Sequence, residues 1–273
     1  ANDVRAFGNL TANASGLMSA SGPLRAGGNI ALTAANADLA ALATPAGDRI
    51  DTLNAGGNVT IAVTGVVTGG VVRAGGNVGI TAGSTANLVE VAATTGNISV
   101  SAVDGMQIDE MRSGGTTGLA STNGDIVVNL LDSGGTVTAS GRAVRIVGQN
   151  NLTFANLAAT AGDATVRTGG NLAVTAANVA GLADLRAGND LTVDQLTAAN
   201  VNLEADRDMT LNNVAATASL SAGATGTATV NGTVTASPPS GTISDYVIAC
   251  APVHGDDGGV ASHVPTSLAY QLR

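Results

Sequence analysis

The sequence predicts an all-β chain folded as a right-handed parallel β-helix, a solenoid with coils of about 19–20 residues. Three observations predict it. A short motif of two glycines and an asparagine returns along the chain, as in "RAGGNIALTAA" from Arg25, "NAGGNVTIAV" from Asn54 and "VVRAGGNVGITAG" from Val71. Apolar residues alternate after each return. The composition leaves almost no aromatic side chains from which to build an ordinary globular core, with two Phe, two Tyr and no Trp in 273 residues.

The period comes first, because a fixed repeat of this length is the signature of a solenoid. The polar residues that follow the glycine turn are Asn9, Asn29, Asn58, Asn77, Asn97, Thr116, Thr136, Asn151, Asn171, Asp190 and Asp208. Most successive steps are 18 to 20 residues; two depart, at 29 and 15. After each anchor the apolar residues usually fall one and three positions later, as in Ile30/Leu32, Val59/Ile61, Val78/Ile80, Leu172/Val174 and Leu191/Val193. That period of two opens a β-strand with one face inward.

A second short strand precedes the glycines, in "LRAGG" at Leu24, "VRAGG" at Val72, "MRSGG" at Met111, "VRTGG" at Val166 and "LRAGN" at Leu185. Its Arg follows an inward apolar residue and so points outward. Twenty residues cannot hold a strand-helix-strand unit, so each strand pairs with its equivalent one coil away, about 4.8 Å distant. Crossover chirality predicts the right-handed form. The glycines are expected to supply corners with positive φ, and the Asn or Asp beside them to bond local backbone and stack in a ladder. A thin interior built from Ala, Val, Leu and Ile explains the missing rings.

The 29-residue step contains "NADLAALATPAGDRID" and reads as a loop of about nine extra residues in the 36–51 region. The 15-residue step near "GRAVRIVGQNNLTF" reads either as a shortened coil or as a change of phase, since Asp125 with Ile126 and Val128 also fits the anchor pattern. The repeat region is 1–236. Residues 237–273 form a Pro-containing tail, a candidate cap or docking segment, which holds both Tyr, both His and the only cysteine.

Charge narrows the function. A net charge of −9, with every basic residue an Arg and none clustered, excludes a nucleic-acid partner, whose phosphates call for a positive stripe. No window approaches the roughly 20 apolar residues that cross a bilayer, so no membrane insertion is expected. A single cysteine excludes an intrachain disulfide framework.

No residue is assigned a catalytic, cofactor-binding or metal-binding role, and no cofactor is expected. The acids Asp104, Asp109 and Glu110, and Glu204, Asp206 and Asp208, read as a solvated outer face, with Glu110 beside Arg112 and Asp184 beside Arg186 as outward ion pairs. Cys250, His254, Asp256, Asp257 and His263 carry ligand or nucleophile chemistry but match no strong metal spacing. The sequons at Asn9, Asn58, Asn97 and Asn151 coincide with anchors, so the repeat accounts for them. Outward threonines, among them Thr33, Thr60, Thr81, Thr153, Thr175, Thr192 and Thr210, follow from strand propensity.

The runs "AGGNIALTA", "AGGNVTIAV", "AGGNVGITA" and "TGGNLAVTA", interleaved with "LRAG" and "VRAG", resemble the repeats of filamentous haemagglutinin-like proteins. Those are bacterial exoproteins, commonly exported by two-partner secretion. The resemblance covers about residues 4–236. It implies a β-helical shaft, an extracellular or cell-surface address, and a section of a longer fibre. The expected function is that of a non-enzymatic adhesin or surface-fibre shaft, with a host or neighbouring-cell surface ligand as partner. The alternatives are a structural subunit stacking end-to-end on copies of itself, and a carbohydrate-active enzyme centred on the 36–51 insertion with Asp48 and Asp51.

Overall fold

The computed structural model describes residues 3–20, 22–39 and 52–236, and the backbone alone of strands Leu42–Ala43, Arg49–Ile50 and Tyr246–Cys250. The described chain has no helix. It stacks as a parallel β-solenoid of about 12 turns.

Each early coil has three strands. The anchor strand follows the Asn and stacks Leu10–Asn13, Ile30–Ala34, Val59–Val63, Val78–Ala82, Ile98–Ala102, Thr117–Ser121 and Val137–Gly141 in parallel register. A middle strand follows, as Leu17–Ala20 on Asn36–Leu39. The arginine strand closes the coil, as Val4–Ala6, Leu24–Ala26, Leu53–Ala55 and Val71–Ala74. In register, Val59 lies between Ile30 and Val78, and Ile61 between Leu32 and Ile80, all at or below 1% exposure. Alternation in the sequence thereby becomes continuous inward columns of aliphatic side chains. Burial of that area drives folding.

The glycine corners depart from expectation. Among the described residues, positive φ occurs only at Gly69, Gly70 and Gly105, none of them in a Gly-Gly-Asn turn. Space, and not backbone handedness, selects glycine there. A Cβ on Gly56 would sit 2.4 Å from the Gly27 carbonyl oxygen of the neighbouring coil, and one on Gly57 would sit 2.3 Å from Asn29 Oδ1.

The 15-residue step proves to be a real change of coil shape. Before it the anchor strand has five residues, as in Ile98–Ala102, and the middle and arginine strands run together as nine, as in Gly105–Ser113. Beyond it the anchor strand lengthens to eight, Leu152–Ala159, while the following strand shortens to five, Ala164–Thr168. The coil between them combines the short form of each, Val137–Gly141 and Val144–Gly148. Two register shifts absorb the change, between Val137 and Thr138 and between Val128 and Leu131. Asp125 opens a middle strand, so it belongs to a second corner and not to the anchor series.

The insertion projects from an undisturbed stack. Leu42–Ala43 pairs antiparallel with Arg49–Ile50, while Leu24–Ala26 pairs directly with Leu53–Ala55. Asp48 and Asp51 lie outside the described residues. The tail contributes Tyr246–Cys250, which pairs in parallel with Leu220–Ala224. His254, Asp256, Asp257 and His263 also lie outside them.

Candidate binding surface

The anchors form the expected ladder. Each side-chain oxygen accepts a hydrogen bond from the backbone N–H of the anchor one coil on: Asn9 from Asn29 at 2.9 Å, Asn29 from Asn58 and Asn58 from Asn77 at 2.7 Å, and Asn77 from Asn97 at 2.8 Å. Asn97 accepts from Thr116 at 2.7 Å, and the ladder then lapses across the two threonine anchors. It resumes with Asn151 accepting from Asn171 at 2.8 Å and continues through Asp190 and Asp208. Asn9, Asn58, Asn97 and Asn151, the sequon positions, are thus all engaged in the ladder.

Where the ladder lapses, hydroxyls move inside. Ser113 and Ser133 stand in register with the alanines that precede other glycine turns, such as Ala93. Ser113 Oγ donates to the carbonyls of Gly96 and Thr116, at 3.2 and 3.1 Å. Ser133 Oγ reaches the carbonyls of Gly115 and Gly135 at 3.3 and 3.2 Å, and lies 3.0 Å from Thr117 Oγ1. Thr117 is 1% exposed, in a column otherwise filled by Ile98 and Val137. The signal was in the sequence: "LRAGGN" becomes "MRSGGT" and "LDSGGT", with Ala and Asn replaced together.

The acids singled out from sequence are spread along the stack and have their own partners. Asp104 accepts from Ser84 at 2.9 Å, Asp109 from Asn129 at 3.1 Å, and Asp208 from the N–H of Thr227 at 2.8 Å. Glu110 pairs with Arg112, and Glu204 with Arg186 at 2.9 Å. The Thr225 hydroxyl donates to the backbone carbonyl of Asp206.

Asp184 differs from the exposed pair expected of it. Its side chain is only 10% exposed, and it receives Arg186 at 3.0 Å, Arg167 at 3.2 Å and Asn202 at 2.8 Å. Burial opposes its ionisation, but the donors from Arg186, Asn202 and Arg167 outweigh it and hold the carboxyl below its usual range. Asp125 is lowered too, chiefly by its hydrogen bonds from Arg142 at 2.8 and 2.9 Å. Glu90, 7% exposed at its side chain, is matched by Arg73 in the same way.

Among the described residues, no group of three or more His, Cys, Asp or Glu could hold a metal ion. The concave places are two shallow depressions on the anchor face. One is floored by Gly118 and Ala120, rimmed by Ser99, Ser101, Thr138 and Ser140, with Asn156 at its edge. The other lies over Gly79, beside Thr60, Ser99 and the corner residues Asn58, Asn77 and Asn97. Their linings offer hydroxyls, amides and backbone without a charged group. Such a surface can make contacts and hydrogen bonds, but it presents no acid-base pair for a reaction.

No known protein-family model matches the chain, and neither a curated protein nor a solved structure matches it.

Proposed function

We propose that the chain is a section of a non-enzymatic extracellular adhesin or surface-fibre shaft, which displays binding regions by its length. The observation that carries this reading is the ladder itself. One corner chemistry recurs from Asn9 to Asp208, and the ionised side chains along it are matched to neighbours on the same or adjoining coils. Solenoids build length by repetition, with each coil supported by its neighbours. The repeat resemblance to filamentous haemagglutinin-like proteins points the same way, and it adds the cell-surface address and a ligand on a host or neighbouring cell.

The test is a cell-binding assay with the intact parent protein and a matched form lacking this section. The reading expects the intact protein to bind a cell surface, and the shortened form to keep ligand affinity in solution while losing reach on cells. Failure of the intact protein to bind any cell surface would sink it.

A further inference from the structure

We propose that the anchor face across the six coils from Ala31 to Ser140 is a lateral docking surface for a second copy of this chain. The proposal goes beyond the shaft reading and stands without it.

The outward residues here come in pairs, two per strand. Ala31 with Thr33 opens the face, followed by Thr60 with Ala62 and Gly79 with Thr81; Ser99 with Ser101, Gly118 with Ala120 and Thr138 with Ser140 complete it. No side chain on it is larger than threonine and none is charged. Other strands of the same coils carry Asp38, Arg73, Glu90, Asp109 and Arg112 on their outer sides. Two copies of a chain with net charge −9 repel each other at long range. They can meet closely only where neither copy presents a carboxylate, and this face meets that condition.

The glycines supply an independent observation. A Cβ on Gly79 would meet nothing within 4 Å, and one on Gly118 would meet only ordinary contacts, the nearest being Thr138 Oγ1 at 3.6 Å. Neither residue has positive φ. Glycine in a strand interior costs roughly 0.5–1 kcal/mol relative to alanine, and nothing within the coil stack requires it at these two places. Close approach of another backbone is a recognised reason for such a residue.

The face is also complementary to itself. A two-fold axis along the stack lays the first outward residue of each strand over the second of the same strand in the other copy. Ala31 then meets Thr33, Thr60 meets Ala62 and Gly79 meets Thr81, small against larger each time. Ser99 meets Ser101, hydroxyl to hydroxyl. This isologous arrangement closes at two. Six coils at about 4.8 Å and a strand width of about 17 Å give roughly 500 Å² per copy. The total of roughly 1,000 Å² lies at the lower bound for a specific interface, so the dimer is weak.

Sedimentation equilibrium of the purified chain over a concentration series tests this, with Ser99→Glu on the face and Thr175→Glu on a coil beyond it. Thermal melts check that both variants are folded. The expected result is a monomer–dimer equilibrium that tightens as salt screens the net charge. Ser99→Glu should weaken it at least about tenfold, since it buries like charges against each other, and Thr175→Glu should leave it unchanged. A monomer at every concentration would overturn the proposal, as would a dimer equally stable in Ser99→Glu.

Discussion

Asn29 holds the backbone amide of Asn58 through its side-chain oxygen at 2.7 Å, across 29 residues of chain. The neighbouring bond, from Asn77 N–H to Asn58, has the same length across 19 residues. The insertion therefore leaves no mark on the ladder. Asn58 both receives and supplies a ladder bond, so Asn58→Ala should destabilise the fold by about 1 kcal/mol. Asn58→Asp should cost less, because Asp190 and Asp208 already serve as acceptors in the same series. Urea unfolding of the two variants against the parent chain measures the difference.

Two glycine substitutions should move stability in opposite directions. Gly56→Ala forces a methyl against the Gly27 carbonyl at 2.4 Å and should cost about 1–3 kcal/mol. Gly79→Ala meets open space on an extended strand and should stabilise by about 0.4–1 kcal/mol, by restricting the unfolded chain. Thermal melts at low protein concentration separate them.

The buried hydroxyl pair predicts non-additivity. Ser133→Ala removes the described partner of Thr117 Oγ1 and leaves a polar group inside, at a cost of about 1–3 kcal/mol. Adding Thr117→Val removes the stranded hydroxyl and restores the aliphatic column of Ile98 and Val137. The double variant should be more stable than Ser133→Ala alone, as a double-mutant cycle would read.

Acid should weaken the fold through Asp184 and Asp125. Both carboxyls are lowered in the folded state, so the unfolded chain takes up protons first as pH falls. Their contribution is present above about pH 4, the ordinary aspartate value, and is lost as pH falls through the lower folded values. Asp184→Asn should flatten that part of a stability-versus-pH curve. An unchanged slope below pH 4 would contradict the assignment.

Most of the fold was legible because the repeat is local. Ile30/Leu32 and Val59/Ile61 reveal the strand period, and Asn9 to Asn97 the ladder, without any knowledge of distant contacts. The reason for the glycines was not legible, since Gly56 and Gly57 are selected by atoms of another coil and not by their own φ. Nor was the coil change visible as a shape: Thr136 and Asn151 are 15 residues apart because two different strands shorten in one coil. Phe154 lies fully buried beyond that junction, so the wider coil form admits one ring that composition alone argued against. For the binding surface, Thr60, Gly79 and Ser99 were readable as outward residues, but their alignment in one column needed the register.

The most direct test of a stacked shaft is the distance between spin labels placed along its arginine strands, with Cys250→Ser to keep labelling specific. Arg5, Arg25, Asn54, Arg73, Ala92, Arg112 and Asp132 follow one another in register. Labels at positions 5 and 92 are four coils apart and should lie about 19 Å from each other, and those at 5 and 132, six coils apart, about 29 Å. Distances that rise by the same step per coil, insertion included, are the result expected of the shaft. Distances that fail to grow with coil number, or that jump where residues 36–51 intervene, would contradict it.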